Sequence, residues 1–219
     1  MVETARPEAM DLIATYRNAG FGQLAEVIVD FYRRRSDLHR RGASFGEEEH
    51  NPQKISTDIS LVAIDRSDPE AYGLAATIMR AVEAALSQYL KERPLFAQVC
   101  PEHNLFVVPL FNIQHYAPGE GFKAWHCDWS TAVDATEPNN RVLAWILYCN
   151  DVTKGGTEFL WQQQHIDAIG GSLALFPAGM SHVHRGQISM TASKTIATGW
   201  INAGTLEAYL QRLCEVPLS

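Results

Sequence analysis

The residues most capable of chemistry sit at His126-Cys127-Asp128. An imidazole and a carboxylate two positions apart project to the same side of an extended chain, so both can reach one cation. A second histidine from a neighbouring strand would complete a two-histidine, one-carboxylate facial triad, which leaves coordination positions open and suits iron(II) oxygenases. Structural zinc would ask for four protein ligands, usually including cysteines. The four cysteines here, Cys100, Cys127, Cys149 and Cys214, form no C-x-x-C pair and read as reduced thiols. Taken alone, the same pair also reads as a turn histidine beside a solvated aspartate.

The surroundings narrow the choice. Tyr116 stands ten residues before His126. After Asp128 come Arg141, Tyr148-Cys149-Asn150, Gly155-Gly156-Thr157, a Gly170-Gly171 turn leading to Phe176-Pro177, then His184, Lys194 and Trp200. From Phe111 to Ile201 this pattern resembles the prolyl 4-hydroxylase-like branch of the 2-oxoglutarate/iron(II) dioxygenases. The resemblance implies iron ligation by His126, Asp128 and His184. Lys194, ten residues after His184, would anchor the far carboxylate of 2-oxoglutarate, with Tyr148 and Tyr116 as hydroxyl partners. Trp200 matches a tryptophan of that branch. Thr157 resembles the threonine of its Gly-Gly-x-Thr turn, one residue short. The implied needs are iron(II), 2-oxoglutarate and dioxygen, with ascorbate in support. The chemistry is consistent: a dianion seated deep in a protein needs a cation and hydroxyl donors, and a lysine buried without an anion is costly.

His182 rivals His184 as the distal ligand, but its twelve-residue distance to Lys194 fits less well. His115 should face away from Tyr116 on its strand, His165 falls in a hairpin, and His39, His50 and His103 lie in polar, solvated contexts. Arg185, next to the distal ligand, should point away from the metal. By alternation, Gln114 shares the face of Tyr116 and either binds substrate or completes a polar network. Trp129 either lines a substrate mouth or packs at the rim. The polar stretch from Ser130 to Asn140 reads as a lid, and the basic run Arg33 to Arg41 as a solvated helix face.

The elements that must position these groups divide at about Pro94. The first part reads helical. Leu24, Val27, Ile28 and Phe31 fall on one helix face. Ser67-Asp68-Pro69-Glu70 has capping-box spacing ahead of Leu74, Ile78, Val82, Leu86 and Tyr89. Ile55 to Ile64 suits a short strand. Beyond Pro94, short runs at Leu105 to Tyr116, Arg141 to Cys149, Thr157 to Trp161, Ser172 to Phe176 and Lys194 to Ile201 are separated by glycine turns, and a helix covers Leu206 to Leu213. The expected fold is mainly β with a helical N-terminal part: a double-stranded β-helix, a cupin-like jelly roll, flanked by α-helices. Residues 1–96 would support a catalytic core at 97–219 within one domain.

At 219 residues, 46% hydrophobic and 20% charged, the chain can build a sizeable core. Its net charge of -7 argues against nucleic-acid binding. No signal-peptide pattern or membrane span is expected, and the location expected is cytoplasmic. The expected function is hydroxylation of a C–H bond in an amino acid, peptide or small metabolite, with succinate and carbon dioxide as coproducts. The alternative is a metal-binding jelly-roll binding or sensor protein without turnover. Substrate identity and oligomeric state are not legible.

Overall fold

The structure, a computed structural model, describes residues 11–42, 53–129 and 140–215. Its frame is an eight-stranded sheet. The strands run in the order β1 (Ala14–Arg17), β11 (Ser172–Pro177), β8 (Arg141–Tyr148), β13 (Lys194–Ala203), β6 (Leu110–Tyr116), β4 (Thr57–Val62) and β2 (Arg40–Arg41), with β5 (Leu105–Val107) also paired to β13. A three-stranded sheet, β10 (Gln164–Ala168), β9 (Val152–Phe159) and β12 (His184–Gly186), forms the second layer, and β3 (Lys54–Ile55) pairs with β7 (Gly121–Phe122). This antiparallel two-sheet arrangement is the expected double-stranded β-helix.

The two faces of the large sheet carry different cores. Odd positions of β8 and β13, Leu143, Trp145, Leu147, Ala197 and Ile201, pack with α1 (Ala19–Arg34) and α2 (Pro69–Glu92). Even positions, Ala144, Ile146, Tyr148 and Ile196, pack with Tyr116, Phe159 and Phe176 on the other face. Alternation along an extended chain is what sends neighbours to opposite cores. The chain closes with α3 (Pro94–Val99) after α2 and α4 (Leu206–Glu215) after β13.

Several local expectations need correction. The helical N-terminal part also contains β1 and β2, beyond the strand expected at Ile55 to Ile64. Val27 is 53% exposed, because α1 turns Phe21, Leu24, Ala25, Ile28, Phe31 and Tyr32 inward instead. The cap of α2 is Asp68, which accepts from the backbone of Glu70 and Ala71 with Pro69 at the first turn; Ser67 makes no capping box. Pro94 opens α3 rather than only closing α2. Gly155-Gly156 lies inside β9, not in a turn. His39 is not simply solvated: it is partly buried, its ring stacks on Tyr32 at 4.2 Å, and its Nε2 meets the Tyr32 carbonyl. The basic run folds onto acids nearby, Arg34 onto Asp30 and Glu70, Arg35 onto Asp37 and Asp68. His50 and residues 130–139 of the expected lid lie outside the described residues.

Candidate active site

His126 and Asp128 do not sit on a regular strand. His126 forms an isolated antiparallel bridge with His184, the first residue of β12. The two exchange backbone bonds of 2.9 and 2.8 Å, and Asp128 N donates to Ala178 O at 2.9 Å. Extended geometry is thus imposed by cross-chain pairing, and it aims His126, Asp128 and His184 at one point. One ligand atom from each lies within 4.8 Å of the others. His184 Nε2 is 3.8 Å from Asp128 Oδ2, and the two imidazole centroids are 4.4 Å apart.

The donor set suits a divalent iron. His126 Nδ1 faces Ala124 O at 3.0 Å and His184 Nδ1 faces His182 O at 2.9 Å. A carbonyl only accepts, so each Nδ1 carries the proton and each Nε2 presents a lone pair inward. Burial, reinforced by His184, lowers the pKa of His126 and keeps its imidazole neutral at ordinary pH. Phe122 stacks on the His126 ring at 3.7 Å, and Phe176 meets the His184 ring edge-on at 4.9 Å. His182, the rival, sits in a short 3-10 turn with its Nδ1 on the Ser181 hydroxyl; it serves His184 through its backbone carbonyl.

Lys194 is buried on the same face, with Nζ donating to Gly155 O at 2.6 Å and Gln187 O at 3.4 Å and lying 5.1 Å from the Tyr116 ring centroid. Burial pushes its pKa down to about 8. An ammonium buried against carbonyls, without a counter-anion, is costly. Tyr148 and Thr157, both buried, share a 2.7 Å hydroxyl bond close by, on β8 and β9. Tyr116 hydroxyl donates to Gln114 Oε1 at 2.5 Å, so its proton is committed to Gln114 in this state. Gln114 in turn donates to Asp58 at 3.4 Å.

Trp129 packs at the rim: its indole N–H donates to Arg141 O at 2.9 Å and its ring lies against Gly179. Arg185 turns outward to Glu158 at 2.8 Å and lies 4.3 Å above Trp125. His115 stacks on Tyr32, opposite Tyr116, and His165 and His103 are exposed. Two features of the site have no role assigned by the sequence reading. Arg141 donates to Asp128 O at 2.7 Å and stacks on Trp200 at 3.6 Å, bracing the metal loop. A buried ion pair, Lys54 to Asp58 at 3.2 Å, adjoins Gln114. Arg141 was at least placed in the pattern with Trp200. Lys54 lies in a two-residue strand that leaves no periodic signal.

Residues 111–202 match the 2OG-Fe(II) oxygenase superfamily. No curated protein matches the chain. Among solved structures, the viral collagen prolyl hydroxylase of Paramecium Bursaria Chlorella virus-1, as its 2OG complex, aligns at TM-score 0.58 and 15% identity over 88% of this chain and 97% of that one. A Pseudomonas putida prolyl-4-hydroxylase aligns at 0.57 and 15% identity, over 89% and 94%. A Trichoplax adhaerens prolyl hydroxylase, solved with a hypoxia inducible factor peptide fragment, aligns at 0.59 and 14%, over 88% and 84%. At such identities the likeness concerns the fold, which is that of the branch the sequence resembles. The superfamily takes iron(II), 2-oxoglutarate and dioxygen, and His126, Asp128 and His184 form a possible iron site. Residues 111–202, the part of the chain that matches the 2OG-Fe(II) oxygenase superfamily, hold all three candidate ligands and Lys194.

Proposed function

We propose that this protein couples decarboxylation of 2-oxoglutarate, to succinate and carbon dioxide, with oxidation of a C–H bond in an amino acid, peptide or small metabolite. The observation that carries this reading is the convergence of His126, Asp128 and His184 within 4.8 Å, with the buried Lys194 reaching across to β12, where its Nζ lies beside Gly186. Iron(II), when bound, supplies dioxygen activation and a chelating position for the keto-acid end of the cosubstrate. The chain's own residues do the rest. With Nδ1 held by a backbone carbonyl, His126 and His184 each direct Nε2 toward the shared metal position. Lys194 takes the far carboxylate, with the Tyr148–Thr157 hydroxyl pair turning a donor toward it. Ile146, Ile196 and Phe176 keep water from that end.

The test is succinate formation by the iron-loaded protein over a substrate panel. Ala substitution of His126, Asp128 or His184 should abolish both iron retention and succinate, whereas His182→Ala should retain both. Loss of iron in His182→Ala with retention in His184→Ala would overturn the ligand assignment. Tight iron and 2-oxoglutarate binding with no succinate from any substrate would favour the binding or sensor protein.

A further inference from the structure

The backbone joins the two histidine ligands at one pair only, the isolated bridge of His126 with His184. The next pair along the antiparallel chains is Trp125 with Arg185, and by alternation its side chains point away from the metal. Arg185 Cζ lies 4.3 Å from the Trp125 ring centroid. On the other edge of β12, Arg185 pairs with Glu158 of β9, beside the pairing of His184 with Phe159. Trp125, Arg185 and Glu158 thus form one cross-strand row on the outer side of the small sheet, directly behind the row that carries both imidazoles.

Glu158 holds this row with both of its oxygens. Oε2 accepts Arg185 Nε at 2.8 Å, and Oε1 accepts Gln187 Nε2 at 3.1 Å. Arg185, then Gln187, keeps the Glu158 carboxyl below its usual range, so the group stays an anion. Gln187 carries the line on to the buried lysine. Its Oε1 accepts from Gly156 N at 3.2 Å, its N donates to Gly156 O at 2.8 Å, and its carbonyl accepts from Lys194 Nζ at 3.4 Å. The other acceptor of Lys194, Gly155 O at 2.6 Å, is the neighbour of Gly156.

We propose that Glu158 is a positioning residue with two arms. Through Arg185 it clamps Trp125 and so holds His126 against His184 for iron(II). Through Gln187 it fixes the carbonyls that seat Lys194 for the far carboxylate of 2-oxoglutarate. This rests on the oxygenase reading and deepens it. A partly exposed ion pair adds little to stability by itself, so its value lies in orientation. One backbone pair leaves the imidazoles free to twist against each other, and a contact at the adjacent pair resists that twist. A guanidinium stacked on an indole and bonded to a carboxylate supplies it.

The experiment compares Arg185→Met, Gln187→Leu and Glu158→Ala. Iron(II) affinity is read anaerobically by competition with a chromogenic chelator. 2-Oxoglutarate affinity is read at saturating iron(II) from the visible charge-transfer band, and the thermal midpoint of the metal-free protein is measured alongside. Arg185→Met should weaken iron(II) by about tenfold, as for other outer partners of ligating histidines, and leave 2-oxoglutarate near the parent. Gln187→Leu should do the reverse, by about fivefold, the scale of one hydrogen bond. Glu158→Ala should lose on both. Trp125→Phe, which keeps an aromatic face, should bind iron(II) like the parent, and Trp125→Leu should match Arg185→Met. Both affinities falling together in every variant, in step with the midpoint, would leave the row a purely structural role and overturn the proposal. Unchanged affinities, or equal iron loss in Trp125→Phe and Trp125→Leu, overturn it too, and the oxygenase reading stands. Should Glu158→Ala fail to fold, the split between Arg185→Met and Gln187→Leu decides. A parent that takes no iron(II) or no 2-oxoglutarate shows instead that the oxygenase reading has failed, and the proposal falls with it.

Discussion

Lys194 is the residue whose placement most needs a ligand to explain it. The residue is 7% exposed, its ammonium donates to backbone carbonyls, and burial alone brings its pKa from 10.5 down to about 8. The folded protein therefore binds this proton less tightly than the unfolded chain. The group's contribution to stability is present above pH 10.5 and is lost as pH falls through 8. The shift corresponds to a loss on the order of 3 kcal/mol across that window. Denaturant unfolding of the metal-free protein against Lys194→Met should show it: the parent's stability relative to the variant should fall from pH 10.5 to 8 and level off below. The difference cancels the buried tyrosines Tyr89, Tyr116 and Tyr148, whose pKa values burial raises and which would otherwise mask it at alkaline pH. A flat difference would mean that Lys194 is hydrated in solution and is not held ready for an anion.

The element scale shows what a sequence reveals and what it hides. Runs such as Leu143 to Tyr148 and Ser172 to Pro177 are apolar on both sides because both faces of their sheet are covered, and they read as strands directly. Helix α2 was legible for the same reason: its buried residues recur at helical spacing. The strands β1, β2, β3 and β7 were not, since two to four residues cannot display a period and owe their shape to partners far along the chain. The metal motif was found by residue type, yet its extended geometry comes from the His126–His184 bridge, a tertiary fact. Glycine misled in the opposite direction. By type Gly156 signals a turn, but a Cβ there would lie 1.7 Å from Ile166 O, so its role is close approach of β9 to β10. The obstacle is backbone and cannot swing aside. Gly156→Ala should destabilise by about 1–3 kcal/mol or more. It should also weaken 2-oxoglutarate binding, because Gly155 O and Thr157 flank it at the proposed cosubstrate seat. Gly73, in α2 with nothing within 4 Å of a new Cβ, is the contrast: Gly73→Ala should stabilise by about 0.5–1 kcal/mol. Thermal melts of the two variants that moved together would refute this account of the β9–β10 contact.

Across the whole molecule, the large sheet is a partition with one core on each side. The ten-residue strand β13 shows it: Lys194, Ile196 and Trp200 face the site, while Ala197 and Ile201 face the helices. The described helices hold none of the candidate ligands; they cover an apolar face of the sheet that water would otherwise reach. Stability and chemistry should then separate by face. Ile78 on α2 is fully buried in the helix-side core. Ile78→Ala should cost about 2–5 kcal/mol of unfolding free energy, through lost burial and the cavity left behind. Its midpoint in denaturant should drop accordingly, while the folded protein below that transition titrates iron(II) and 2-oxoglutarate like the parent. A cavity on the helix side shifts only side chains that alternate away from the ligands, and the strand backbones between are fixed by pairing on both edges. Cosubstrate affinity falling in step with stability would show that the partition transmits strain, and that the helical layer shapes the site as well as supporting it.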